Sequence, residues 1–173
     1  MEELKQVIRE VPDFPKKGIL FYDVTTLLAD APAFAQVIEV LAERYEGRKP
    51  AAVVAIDARG FIFGGALAYR LGVPFVPVRK KGKLPWETVT ASYELEYGVD
   101  QVQMHKDAVK PGDLVVIVDD LLATGGTARA AVELVRQCGG EVLECAFIIE
   151  LDFLAGRKKL EPLPVFSIIH YDQ

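Results

Sequence analysis

The densest chemistry in this 173-residue chain lies in one stretch, Val115-Val116-Ile117-Val118-Asp119-Asp120-Leu121-Leu122-Ala123-Thr124-Gly125-Gly126-Thr127. Val115 to Val118 are apolar and mostly β-branched. They read as a buried strand that delivers two adjacent carboxylates, Asp119 and Asp120, to a sheet edge. Thr124, Gly125, Gly126 and Thr127 then open a helix. Unpaired amides at such a helix start, with two threonine hydroxyls beside them, form a cradle suited to a monophosphate. The glycines allow close backbone approach and φ > 0 where it is needed. Carboxylates just ahead of the cradle accept hydrogen bonds from sugar hydroxyls. One loop can therefore hold both ends of a ribose 5-phosphate.

Other readings of the same residues compete. Asp119-Asp120 can end an ATPase strand that holds Mg2+, but no G-x-x-x-x-G-K-[ST] occurs in the chain. A dinucleotide fold wants G-x-G-x-x-G after a strand, which is also absent. A capped helix with a glycine turn needs no ligand, and Thr-Gly-Gly-Thr alone would favour that. The complete series of strand, Asp-Asp, Thr-Gly-Gly-Thr and helix favours the sugar phosphate.

Two further loops carry charge. After Ile56 comes Asp57-Ala58-Arg59-Gly60-Phe61, where a guanidinium and nearby amides can meet an oxyanion. After Val78, four of the five residues Arg79 to Lys83 are basic, which by itself reads as a solvated charge run. The stretch from Lys80 to Gly98 is long, carries Gly82 and Pro85, and suits a mobile lid that excludes water. It ends in Ser92-Tyr93-Glu94-Leu95-Glu96-Tyr97-Gly98, whose alternation reads as a half-buried strand with its carboxylates on one face.

These loops need rigid elements behind them. Val53–Ile56, Phe75–Val78, Leu114–Val118, Val142–Ile149 and Val165–Ile169 read as strands, several of them apolar without alternation. Phe34, Val37, Ile38, Leu41, Ala42 and Tyr45 recur at helical spacing, with Asp30 as cap and Pro32 in the first turn. Further helices are predicted from about Gly60 to Leu71, stopped by Gly72 and Pro74, and from Thr127 to Cys138, stopped by Gly139-Gly140. Gly64-Gly65 reads as a site of close helix–sheet packing. Strand–helix alternation implies right-handed crossovers and an open, mostly parallel α/β sheet. Ligands then bind beyond the carboxyl ends of the strands, at the loops after Ile56, Val78 and Val118.

Composition narrows the partners. Twenty Lys+Arg against 25 Asp+Glu give a formal net charge of −5, which argues against nucleic acid and anionic membranes. Cys138 and Cys145 cannot build a disulfide framework or a zinc site and read as small buried hydrophobes. The start, Met1 to Lys5, lacks the pattern of a signal peptide, and the longest apolar runs are too short to span a bilayer. A cytoplasmic protein is expected. His105 and His170 show no ligand spacing, and Arg157-Lys158-Lys159 reads as a solvated helix face.

The Asp119–Thr127 segment resembles the phosphoribosyl-pyrophosphate (PRPP) signature of the type I phosphoribosyltransferases. Over nearly its whole length the chain is similar to the adenine-using branch of that family. The resemblance implies one domain over 1–173: an open, mostly parallel twisted sheet flanked by helices, with a small N-terminal hood (1–30) and a flexible lid (80–98). It implies that adenine and PRPP are converted to AMP and pyrophosphate, that Mg2+ arrives bound to PRPP without direct protein ligands, and that the protein is a homodimer. By the same resemblance Asp119 and Asp120 contact the ribose, and Ala123, Thr124, Gly125, Gly126 and Thr127 bind the 5-phosphate of PRPP or AMP. Ala58, Arg59, Arg79, Lys80 and Lys83 fall to the pyrophosphate, with Arg59 a catalytic candidate. Leu-Glu-Tyr-Gly resembles a catalytic-loop motif in which Glu96 handles the purine's proton. Pro12 to Thr25 resembles a base-binding hood, with Leu20, Phe21 and Tyr22 as base contacts; Tyr22 stands where the family more often has arginine. Two alternatives stay open: another purine base, or a regulator that binds PRPP without turnover. Only about a dozen residues precede Asp13, too few for a helix-turn-helix module.

Overall fold

A computed structural model describes residues 2–95 and 97–173. In chain order the strands are β1 (Arg9–Pro12), β2 (Leu20–Asp23), β3 (Ala52–Ile56), β4 (Phe75–Lys80), β5 (Thr88–Glu94), β6 (Val99–His105), β7 (Leu114–Leu122), β8 (Glu141–Leu151) and β9 (Val165–Tyr171). The helices are α1 (Glu2–Val7), α2 (Thr25–Ala29), α3 (Ala31–Glu46), α4 (Arg59–Leu71) and α5 (Gly126–Gln137). β1 and β2 form a separate antiparallel ribbon, while the other seven strands form one sheet in the order β5-β6-β4-β3-β7-β8-β9. From β4 to β9 all neighbours run parallel.

The unbroken apolar runs belong in this parallel centre because helices cover both of its faces; every residue of β3 is buried. On one face Val53, Val116 and Val118 pack with Leu27, Val37, Leu41, Phe63 and Leu67 of α2–α4. On the other, Val54, Ile117, Cys145 and Phe147 pack with Ala131, Leu134 and Val135 of α5. The strand order turns back at β3: α4 leads to β4 on one side, and β7 lies on the other. A crevice therefore opens at the carboxyl ends of β3 and β7.

Local chemistry fixes the helices as the sequence predicts. Asp30 accepts a hydrogen bond from the Ala33 amide at 3.0 Å, a cap worth about 1 kcal/mol. Gly72 ends α4 at φ +68°. α3 is tied to the sheet by Glu144 of β8, a buried carboxylate that accepts from Arg44 at 2.6 and 2.8 Å and from the Tyr45 hydroxyl at 2.5 Å. Burial alone would raise its pKa, but these donors outweigh burial and hold it below the ordinary glutamate value. Of the two glycines in α4 only Gly64 meets the sheet. A Cβ added there would stand 2.5 Å from Ala55 Cβ, whereas one at Gly65 would meet nothing within 4 Å.

Three features depart from the sequence reading or add to it. β7 continues through Asp119 and Asp120 to Leu122, paired to β8 as far as Leu122↔Glu150, so the carboxylates sit on the strand rather than after it. Within the predicted lid, β5 is the first strand of an antiparallel hairpin, paired to β6 from Thr88↔His105 to Glu94↔Val99, and β6 joins β4 at Arg79↔Gln103. Arg157 does not lie on a solvated helix face. It sits in a 3-10 segment, Gly156–Leu160, and donates to buried Glu150 at 2.8 and 2.5 Å. Cys145 is buried and Cys138 half-buried, both free thiols; burial pushes the Cys145 thiol up to about 12. Among the described residues no helix is long and apolar enough to cross a membrane.

Candidate functional site

The crevice holds a cavity of about 580 Å³ lined by Asp57, Ala58 and Arg59 after β3, Lys80 and Tyr93 from the hairpin side, and residues 119–128. Its floor is set by β7. The Asp120 amide donates to Asp119 Oδ1 at 2.8 Å, and Arg59 Nε donates to Asp120 Oδ2 in a close charge pair. Asp120 is only 7% exposed, so an unpaired charge there would be costly. Burial works against the Arg59 charge, but Asp120, Asp119 and Asp23 outweigh it and hold the guanidinium above its ordinary pKa.

Among the described residues Asp119 has no such partner. Withdrawal from water and then the neighbouring Asp120 charge raise its pKa well above the usual carboxylate value, and Arg59 offsets this only in part. Two adjacent carboxyls are thereby given different characters: one ion-paired, one poised to hydrogen-bond hydroxyl groups. α4 begins directly over them. A Cβ on Gly60 would come within 2.8 Å of Asp119 Oδ1, so only glycine lets the helix start there.

The adjoining loop forms the anion cradle. Gly125 takes φ +82°, and among the described residues no side chain caps α5. The first intrahelical bond runs from the Arg129 amide to the Gly125 carbonyl at 2.9 Å. The amides of Gly126, Thr127 and Ala128 precede it and border the cavity, together with Ala123 and Thr124.

A second cavity, about 380 Å³, is lined by Val11, Phe14, Phe21, Asp23 and Arg59. Phe14 and Phe21 meet edge to face at 5.1 Å. Arg59 borders both cavities and so joins them. Alternation along β2 decides which predicted base contacts reach this slot. Phe21 does. Leu20 and Tyr22 instead line a different cavity with Lys5, Tyr171 and Gln173. Tyr22 stacks on Tyr171 at 3.8 Å, and its hydroxyl donates to the Gln173 carbonyl at 3.1 Å.

The basic residues divide in the same way. Ala58, Arg59 and Lys80 line the main cavity. Arg79 donates to Asp57 at 2.9 Å and to the Lys83 carbonyl at 3.4 Å, and Lys83 itself is exposed. Lys80 pairs with Asp100 at 3.0 Å, which also accepts from the Tyr93 hydroxyl at 3.2 Å. Glu96 lies outside the described residues. Sequence reasoning misses Asp23, Asp57 and Asp100 as the acids that face the site's cations, because each partner is brought in from another element. Only Asp57, beside Arg59 in the chain, carries a local signal.

Oxygen donors suited to Mg2+ (Asp57, Asp119, Asp120) line the main cavity. The Glu150, Asp152 and His170 group lies in a separate cavity, where Glu150 already holds Arg157 and Ser167.

The family model described as Phosphoribosyl transferase domain matches residues 23–170. The adenine phosphoribosyltransferase of Acidobacterium capsulatum is 59% identical over 172 residues, covering 99% of this chain and 95% of that protein. The crystal structure of adenine phosphoribosyltransferase from Thermoanaerobacter pseudethanolicus has a TM-score of 0.95 at 59% identity, covering 98% of this chain and 99% of that one. The Saccharomyces cerevisiae enzyme, solved with adenine and an imino-altritol bisphosphate, has a TM-score of 0.93 at 46% identity, covering 96% and 97%. An Asp-Asp strand, an uncapped helix start and an aromatic slot meeting at one arginine are thus set in a fold these proteins share, and the chain belongs to the phosphoribosyltransferase family, among its adenine phosphoribosyltransferases.

Proposed function

We propose that this chain transfers the 5-phosphoribosyl group of PRPP to adenine, giving AMP and pyrophosphate. The observation that carries this reading is the junction of two cavities at Arg59, one polar with an anion cradle and one aromatic. Adenine in the relatives' names and in the yeast structure supports the choice of base.

Asp119 and Asp120 hold the ribose hydroxyls, and the amides of residues 123–127 hold the 5-phosphate. Breaking the bond from C1 to pyrophosphate leaves positive charge on the sugar and negative charge on the leaving group. Arg59, the backbone at Ala58, Lys80 and the more distant Arg79 and Lys83 favour that departure electrostatically. Mg2+ would come bound to PRPP and neutralise charge on the diphosphate, in a cavity whose carboxylates Asp57, Asp119 and Asp120 favour a cation. Phe21 and Phe14 form the walls against which the planar base stacks. The base nitrogen then attacks C1, and Glu96 takes the excess proton. Fixing base and sugar in line supplies on the order of 7–11 kcal/mol at best.

We assign residues 1–30 to a hood and 80–98 to a lid within one domain that works as a cytoplasmic homodimer. Exposed Ile62 and Tyr69 on α4 support a second copy as the cover of that helix. The test is to supply PRPP, Mg2+ and each purine base in turn and to follow pyrophosphate release. Turnover with adenine is expected; turnover with guanine or hypoxanthine but not adenine would overturn the base assignment.

A further inference from the structure

The phosphate cradle is supported from behind by backbone that arrives much later in the chain. After β8, Asp152–Leu154 makes a 3-10 turn, Ala155 takes φ +51°, and Gly156 opens the segment that ends at Leu160. Gly156 is buried. A Cβ placed on it would stand 2.1 Å from the Ala123 carbonyl oxygen and 3.0 Å from the Gly125 amide nitrogen. From the opposite side, a Cβ on Gly125 would stand 2.4 Å from the Gly156 carbonyl oxygen. The two backbones interlock with no side chain between them. Gly125 also needs its left-handed φ of +82°, whereas Gly156 takes no positive φ. The requirement at Gly156 is therefore close approach alone.

The turn that carries Gly156 is clamped in place. Arg157 donates twice to Glu150, at 2.8 and 2.5 Å, and its Nη1 donates to the Val165 carbonyl at 3.2 Å. Ser167 Oγ closes the same carboxylate at 2.6 Å, and buried Leu160 anchors the far end.

We propose that Gly156 is a positioning residue for the substrate's 5-phosphate, with Arg157 as the clamp that holds it against the cradle. The proposal rests on the reading of residues 123–127 as the phosphate loop. Asp119 and Asp120 are fixed on β7, so a side chain at 156 must shift Ala123 and Gly125 relative to them. A ribose 5-phosphate has a fixed length and cannot bridge both ends once the spacing changes.

The test uses the full chain and Gly156→Ala, with Gly47→Ala, at the exposed end of α3, as a control whose added methyl meets nothing within 4 Å. PRPP binding with Mg2+ is measured by calorimetry without any base, and KM is measured for each substrate. For Gly156→Ala, PRPP Kd and KM are expected to weaken on the order of ten- to a hundredfold, while adenine KM stays within about twofold. Arg157→Gln, which inserts no atoms, is expected to give the same split more weakly, and it decides the matter if Gly156→Ala does not fold. A folded Gly156→Ala with wild-type PRPP affinity overturns the proposal. Equal losses for PRPP and adenine also overturn it, since a general folding defect would act on both. If the wild type binds PRPP without turning over adenine, the base assignment fails and the calorimetry still decides the role of Gly156. If the wild type does not bind PRPP, both fail.

Discussion

The guanidinium carbon of Arg59 lies 5.8 Å from the centre of the Phe21 ring, while its Nε pairs with Asp120. One side chain thus reaches both the carboxylate pair and the aromatic slot. A lysine can supply the charge but not a planar fork that pairs with a carboxylate and faces a ring. Arg59→Lys is expected to lower kcat/KM on the order of a hundredfold. Near-wild-type steady-state kinetics would show that charge alone suffices.

Asp119 should cost stability in return for function. Its carboxyl gives up its proton at about pH 4 in the unfolded chain but only at higher pH in the folded one. Across that interval the folded state binds more protons, so stability falls as pH rises and stays lowered above it. An asparagine at this position has no such proton, and its amide oxygen can still accept from the Asp120 amide. Asp119→Asn is therefore expected to be more stable than wild type at pH 8 and to match it more closely at pH 4. Urea denaturation at the two pH values measures this.

Tyr22 acts from behind the slot. Its stack on Tyr171 holds β2, the strand that presents Phe21. Tyr171→Ala loses an aromatic pair worth about 0.5–1.5 kcal/mol beyond its burial. Adenine KM is expected to rise by up to about tenfold, with PRPP KM little changed. Tyr22→Phe keeps the stack and should retain most of the affinity. Initial rates at saturating PRPP distinguish the two variants.

Gly64 and Gly65 are neighbours with opposite expectations. Gly64→Ala drives a methyl into Ala55 and should destabilise by about 1–3 kcal/mol. Gly65→Ala meets open space and should stabilise α4 by up to about 1 kcal/mol. Denaturation midpoints of the two variants provide the comparison.

The parallel strands are legible because apolar β-branched runs such as Val115–Val118 have few places to go except a sheet covered on both faces. The Asp-Asp and Thr-Gly-Gly-Thr spacing places the carboxylates and the cradle side by side for the same reason: a strand, a short loop and a helix leave little choice of geometry. β6 is not legible. Its Val102 and Met104 alternate with Gln101 and Gln103 too weakly to stand out. The orientation of Tyr22 depends on which face of β2 meets Tyr171 of β9, which local residues do not specify. Pairs such as Lys80–Asp100 and the Gly125–Gly156 interlock are products of tertiary contact. Neither partner carries a mark of the other in the chain.

The most direct measurement is the affinity for PRPP with Mg2+ of the wild-type chain and of Asp119→Asn combined with Asp120→Asn. The double variant keeps the side-chain shapes and removes the charged acceptors for the ribose hydroxyls, leaving Arg59 without its charged partner. Tight binding by the wild type and a loss on the order of a hundredfold or more in the variant are expected, since one charge-assisted hydrogen bond contributes about 1.5–3 kcal/mol. Unchanged affinity in a folded double variant would contradict the assignment of this carboxylate pair to the sugar.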